Sequence, residues 1–323
     1  MPDLFQIGSW PPRLVFMGTP EFAVPALQAV AQKVCTPQMV VTQPDRPRGR
    51  GRGESLPPPV KVAAAALGVP VLQPEKVRDP VFISAVREAR PDIILVVAYG
   101  RILPAELLAI PSIGCVNVHA SLLLRYRGAA PINWAVVRGE AVTGVSIQRM
   151  VQALDAGDVL HSRQTEVGPD ETAGELYARL MAMGAEAAVE FMELARAGLV
   201  ARPQDEAMVS WAPVLEKADG ELDWAKDARE IHNMVRGMNP WPGAWTRLDG
   251  SVLKVHRSRA GKGDSGAAPG TVLSAGPGSV LVASGNGTVE LLELQGEGGR
   301  RMGAADFARG RRLAAGAILG GVK

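Results

Sequence analysis

The 323-residue sequence predicts an α/β protein, with a mostly parallel, doubly wound sheet in its first two hundred residues or so and a small antiparallel β-barrel in its last hundred or so. Two patterns carry that expectation. In the first part, continuous β-branched runs alternate with segments of helical periodicity, as when strands buried on both faces are joined by crossover helices. In the last part, short alternating runs are parted by Gly, Asp and Asn at near-regular intervals.

The runs RLVFM at 13–17, QMVVT at 38–42, DIILVVA at 92–98 and CVNVH at 115–119 predict the strands of the sheet, since each is long enough for a buried strand and too short for a helix. The first leads into FMGTPEFAVPAL, where a Gly turn, a Thr and a Pro begin a helix with Glu21 in its first turn. One glycine is not the GxGxxG that cradles a pyrophosphate, which argues against a dinucleotide site. Leu176, Leu180, Met183, Ala187 and Phe191 recur every three or four residues and predict a helix over 171–197. The stretch GLVARPQDEAMVSWAPVLEK loses that periodicity and carries two prolines, so residues 204–213 read as a linker. A charge-rich helix, ELDWAKDAREIHNMVRGMN, is followed by the strands AWTRL, SVLKVHRS, GTVLSA, SVLVAS and TVELLEL, with GKGDSGAAPG as a surface loop. The expected organisation is a Rossmann-like catalytic domain at 12–203, the linker at 204–213 and an OB-like β-barrel domain at 214–323, with Trp241 and Trp245 packing the seam between the domains.

With 47% apolar and only 5% aromatic residues, the chain belongs with folded globular proteins whose cores are aliphatic, not with disordered ones. A formal charge of +2 gives no global field for nucleic acid, but residues 214–323 hold fifteen basic against twelve acidic residues, leaving the tail domain mildly basic. Cys35 and Cys115 lie far apart in apolar contexts and read as reduced thiols; no spacing fits zinc, and no metal is expected. The leader has no signal-peptide core and no apolar run reaches eighteen residues, so a cytoplasmic protein with no membrane partner is expected.

Chemistry concentrates in GCVNVHASLLLRYRG, residues 114–128. On a strand, residues two apart share a face, so Asn117 and His119 point together at the carboxyl end while Val116 and Val118 point the other way. Ligands of open α/β sheets bind outside the carboxyl ends of the strands. Downstream, TGVSIQRM predicts another strand, ending in the turn Asp155-Ala156-Gly157-Asp158. An imidazole that moves a proton near neutral pH, a carboxylate that orients it and an amide that donates to an oxyanion form a usable set. Taken singly, His119 also fits a structural histidine and Asp155 a turn cap. Cys115, read as lying toward the valine face, is no strong nucleophile, so the substrate would bring its own.

These motifs, with LDAGDVL thirty-six residues beyond His119, resemble the active site of the 10-formyltetrahydrofolate-dependent formyltransferases. FMGTPEFAVPAL, VVTQPDRPRGRGR, PPVKVAA, VVAYGRILP and NPWPGAW narrow the resemblance to members that formylate initiator methionyl-tRNA, from about Arg13 to the end of the chain. The resemblance implies Asn117, His119 and Asp155 as the catalytic trio, Ser121, Leu122, Leu123 and Leu124 as the folate-contacting loop, 10-formyltetrahydrofolate as co-substrate, and a monomer in a bacterial-type cytoplasm. The family usually has Pro at the place of Leu124, and Asp, Gly and Thr at the places of Val151, Ala153 and Ala156. Since proline fixes its own φ, Leu124 is expected to loosen the folate loop.

Arg46, Arg48, Arg50 and Arg52 are spaced by Gly and Pro, which suits a cationic finger for phosphates and unpaired bases as well as a solvated loop; the resemblance implies that this loop engages the acceptor arm, with Arg50 foremost, and Lys61, just after it, is placed to help. Lys254, Arg257, Arg259 and Lys262, and separately Arg300, Arg301, Arg309, Arg311 and Arg312, form basic faces of the barrel that could track phosphates. Two other readings stand: a folate-dependent formyltransferase or hydrolase acting on a small amine or water, and a tRNA-binding module with an inert catalytic half.

Overall fold

The computed structural model describes residues 4–47, 55–263 and 265–320, and its chain separates into two compact units. The first comprises 1–128, 143–165 and 177–211. It is built on seven strands: β1 (Leu14–Gly18), β2 (Met39–Val41), β3 (Val71–Leu72), β4 (Ile93–Val97), β5 (Gly114–His119), β6 (Val142–Arg149) and β7 (Val159–Glu166), in the order β7-β6-β5-β4-β1-β2-β3. Strands β1 to β5 run parallel, and β6 returns antiparallel to β5. Every residue of β1 and β4 is buried, which is why their sequences are unbroken apolar runs.

Strand order reverses between β1 and β4, and β5, parallel to β4, ends on the same edge as these two, the edge at which ligands of open α/β sheets bind. At the opposite end, Asp92 pins β1 to β4 by accepting hydrogen bonds from the Arg13 backbone at 2.8 Å and its guanidinium at 2.7 Å, and from the Ser112 hydroxyl at 3.0 Å.

The second unit takes 129–142, 166–176 and 212–323. Residues 166–176 belong there by specific bonds: Arg236 donates to the carbonyls of Gly168 and Glu171, and the Arg257 guanidinium pairs with Glu175. The predicted long helix runs Ala173–Ala197, begun by a reciprocal cap in which Thr172 and Glu175 each accept from the other's backbone N–H. A second capping box, Asp227 with Glu230, starts the helix Ala228–Gly237.

Its sheet comprises β8 (Ala244–Leu248), β9 (Ser251–Gly261), β10 (Val272–Ala275), β11 (Val280–Ala283), β12 (Thr288–Gly296) and β13 (Met302–Gly303), in the antiparallel order β8-β9-β12-β11-β10 with β13 on β12. Leu253, Val255, Val280, Val282, Val289 and Leu291 form its core with Trp224, whose indole N–H donates to the Thr246 hydroxyl at 3.0 Å. Trp245 donates to the Lys217 carbonyl within this unit, and Trp241 is 54% exposed. A cavity of about 330 Å³ between Leu253, Phe307, Arg311 and Arg312 also belongs to this unit.

Candidate functional site

Strand alternation puts Asn117 and His119 on one face of β5, and the antiparallel register sets Gln148 of β6 opposite Asn117 and Ser146 opposite His119. The His119 Nε2 lies 2.8 Å from the Tyr126 carbonyl. A carbonyl can only accept, so Nε2 carries the ring proton and the neutral ring keeps its lone pair on Nδ1. That nitrogen is 3.7 Å from Asp155 Oδ2, with the two side chains 7% and 11% exposed. The separation exceeds a hydrogen bond but keeps the carboxylate beside any imidazolium that forms.

Asp155 stands at the left-handed φ of 49°, a conformation that its neighbours must hold. Its Oδ2 accepts from the Gly128 backbone N–H at 2.9 Å, and its Oδ1 from Gln148 Nε2 at 2.7 Å. Because the Gln148 amide must face the carboxylate with its nitrogen, its buried Oε1 is left without a hydrogen-bond partner. The Asn117 side chain is half-buried and makes no hydrogen bond within the described residues, which leaves its N–H groups free to donate.

The loop at 121–124 adjoins this cluster. The Ser146 hydroxyl donates to the Ser121 carbonyl at 2.8 Å and accepts from the Leu123 N–H at 3.0 Å, while the Ser121 hydroxyl donates to the Arg125 carbonyl. Leu122, Leu123 and Leu124 are half-buried, and the Leu123–Leu124 peptide is cis. Val151 and Ala153, two of the departures beside the turn at 155–158, lie exposed on the outside of their loop.

Cys115 requires a correction. In register with Ile94 and Val15, it shares the face of Asn117, not that of the valines. Burial silences it instead, pushing its thiol pKa up to about 12.

Of the basic residues, Arg46 donates to Gln43, and Lys61 pairs with Asp45 at 2.8 Å. Hydrogen bonds from Gln73 and Lys61 hold the Asp45 carboxyl below its usual range. Arg48, Arg50 and Arg52 lie outside the described residues. On the second unit Arg257, Arg301 and Arg309 are engaged by Glu175, Glu293 and Asp306, whereas Lys254, Arg259, Lys262, Arg300, Arg311 and Arg312 are exposed with no carboxylate partner among the described residues. Sequence reasoning missed Gln148, whose place opposite Asn117 needs the β5–β6 register, and the backbone partners at Tyr126 and Gly128.

An imidazole, a carboxylate and an uncommitted amide at the carboxyl edge of a parallel sheet suit acyl transfer to a nucleophile brought by the substrate. The chain belongs to the formyl transferase family: residues 12–192 match the formyl transferase domain and residues 214–312 the formyl transferase C-terminal domain. Among relatives, it is 50% identical over 309 residues to methionyl-tRNA formyltransferase of Geotalea daltonii, covering 95% of this chain and 98% of that one. It is also 50% identical over 306 residues to methionyl-tRNA formyltransferase of Myxococcus xanthus, covering 94% and 97%. At the level of fold, it resembles an N-formyltransferase from Helicobacter canadensis solved with folinic acid and dTDP-3-aminofucose (TM-score 0.67, 15% identity, 87% of this chain and 98% of that one). HypX from Aquifex aeolicus, solved with tetrahydrofolic acid, gives a TM-score of 0.59 at 18% identity, over 92% of this chain and 47% of that one.

Proposed function

We propose that this protein transfers the formyl group of 10-formyltetrahydrofolate to the α-amino group of initiator methionyl-tRNA, for translation initiation. The α-nitrogen attacks the formyl carbon, a C–N bond forms, the tetrahedral oxyanion collapses, and the bond to the folate N10 breaks. The attacking nitrogen loses a proton and N10 gains one. His119 takes the first proton on Nδ1, the nitrogen left free by the bond from Nε2 to Tyr126, and Asp155 stabilises the imidazolium. Asn117 donates to the oxyanion. The loop Ser121–Leu124 contacts the folate, and Arg46, Arg48, Arg50 and Arg52, with Lys254 and Arg257, contact the tRNA.

The protein works as a monomer in a bacterial-type cytoplasm, with a catalytic domain at 12–203, a linker at 204–213 and a tRNA-binding domain at 214–323. Identity of about 50% to methionyl-tRNA formyltransferases over nearly the whole chain supports the substrate pair, and the single observation that carries the chemistry is the His119 ring, tethered at Nε2 with Nδ1 toward Asp155.

The test is formylation of methionyl-tRNA by the purified protein with 10-formyltetrahydrofolate, beside His119→Ala and Asn117→Ala. Wild type is active, and each variant loses roughly 100- to 10,000-fold in kcat while keeping its fold. Near-normal turnover by His119→Ala, or a strong preference of the wild type for an amino-sugar nucleotide over methionyl-tRNA, overturns the proposal.

A further inference from the structure

We propose that Gln204 and Arg127 are positioning residues for Asp155, an inference that rests on the catalytic reading of Asp155 above. The Gln204 carboxamide donates both of its N–H bonds to the catalytic loop, to the Asp155 carbonyl at 2.8 Å and the Gly157 carbonyl at 2.6 Å. Its oxygen accepts from Arg127, from Nε at 3.1 Å and from Nη2 at 2.8 Å. A carboxamide offers two donors and one two-lone-pair acceptor, and here all are used. Flipping the group would set oxygen against two carbonyls and nitrogen against a guanidinium, so a single orientation survives.

What this clamp holds is the strained part of the site. Asp155 adopts a left-handed φ that costs a side-chain-bearing residue free energy, and Gln204 grips the carbonyls of Asp155 and Gly157. The other end of the clamp is anchored where it matters. Arg127 lies between Tyr126, whose carbonyl fixes His119 Nε2, and Gly128, whose N–H holds Asp155 Oδ2. One three-residue segment thus touches both the imidazole and the carboxylate through its backbone and reaches the Asp155 loop again through its side chain. The distance from His119 to Asp155 is set by a closed circuit of hydrogen bonds, not by either side chain alone.

The Arg127 guanidinium is buried and also donates to both oxygens of Glu206, at 2.8 and 3.1 Å. The Glu206 side chain is 71% exposed, so that ion pair is an accessory and the amide is the working part. Neither Gln204 nor Glu206 falls within a matched family domain, since the matches stop at 192 and resume at 214. Composition marks 204–213 as a connector, yet residues up to Trp211 belong to the first unit.

The experiment compares Gln204→Leu and Gln204→Glu, each alone and combined with Asp155→Asn, by single-turnover and steady-state formylation of methionyl-tRNA. Gln204→Leu lowers kcat roughly 10- to 100-fold, with both KM values within about threefold of wild type. Gln204→Glu strengthens the bond to Arg127 but removes the donors to the loop, so it fails like Gln204→Leu; a purely structural tie to Arg127 would instead be preserved by it. In the Asp155→Asn background either change costs less than about twofold further, because there is no longer a carboxylate to position. Hydrogen exchange across 153–158 rises in both single variants and reads the clamp even where activity is low.

Unchanged kcat in Gln204→Leu, wild-type kcat in Gln204→Glu, or an equal loss with and without Asp155→Asn overturns the inference. Near-normal turnover of Asp155→Asn alone would sink the catalytic reading instead, which keeps the two failures apart.

Discussion

Gly157→Ala isolates loop position from loop chemistry. Gly157 is buried two residues beyond Asp155 and lies outside the left-handed region, so alanine brings no backbone penalty there. The obstacle is steric: a Cβ at this position would overlap the Arg149 carbonyl oxygen and come within 2.8 Å of the carbonyl carbon, where real Cβ atoms are not found. Both obstructing atoms are backbone of β6, held in the sheet, so the loop must yield by about 1.6 Å to bring the 1.8 Å approach to the Arg149 oxygen out to ordinary contact. A displacement of about 1 Å at a reacting centre costs roughly 100-fold in rate. The variant, displaced by more than that, is therefore expected to lose at least about 100-fold in kcat with methionyl-tRNA and 10-formyltetrahydrofolate, with KM for both nearly unchanged and a melting temperature only a few degrees lower. Steady-state formylation together with thermal unfolding measures all of these. A Gly157→Ala protein turning over within threefold of wild type would show that Asp155 placement does not limit catalysis, and the geometric account of the site would fall with it.

Acid stability should report on the Arg13–Asp92 pair. Hydrogen bonds from Arg13 hold the Asp92 carboxyl at a pKa of about 2 against an ordinary 3.8, so the contribution is complete above about pH 4 and is lost as pH falls toward 2. Allowing for the half-exposed arginine, about 1 to 2 kcal/mol is at stake, and Asp92→Asn should flatten the unfolding free energy over that interval; an unchanged pH slope would refute the assignment. Affinity for tRNA should fall steeply with salt, about 10- to 40-fold between 50 and 200 mM if the unpaired cations of the second unit neutralise two or three phosphates. A dissociation constant flat over that range would remove those faces from the binding surface.

Periodicity made the sheet legible, and its absence hid the clamp. Strands Leu14–Gly18 and Ile93–Val97 are continuous apolar runs because both their faces are buried, and in Gly114–His119 the two-residue repeat that aligns Asn117 with His119 follows from strand geometry. Strand β3 has only two residues and leaves no pattern, and nothing local announces that β6 returns antiparallel; that return is what brings Gln148 opposite Asn117. The same repeat, applied consistently, would have placed Cys115 on the Asn117 face. Gln204 escapes any such rule. It meets Asp155 across 49 positions of sequence, from a segment with no apolar stripe, and its partners are carbonyls that every residue carries. That last property is compatible with the departures at Val151, Ala153 and Ala156. A loop gripped by its backbone at Asp155 and Gly157 keeps those bonds whatever side chains its neighbours bear, so the polar and glycine positions usual in the family can change here without releasing the carboxylate.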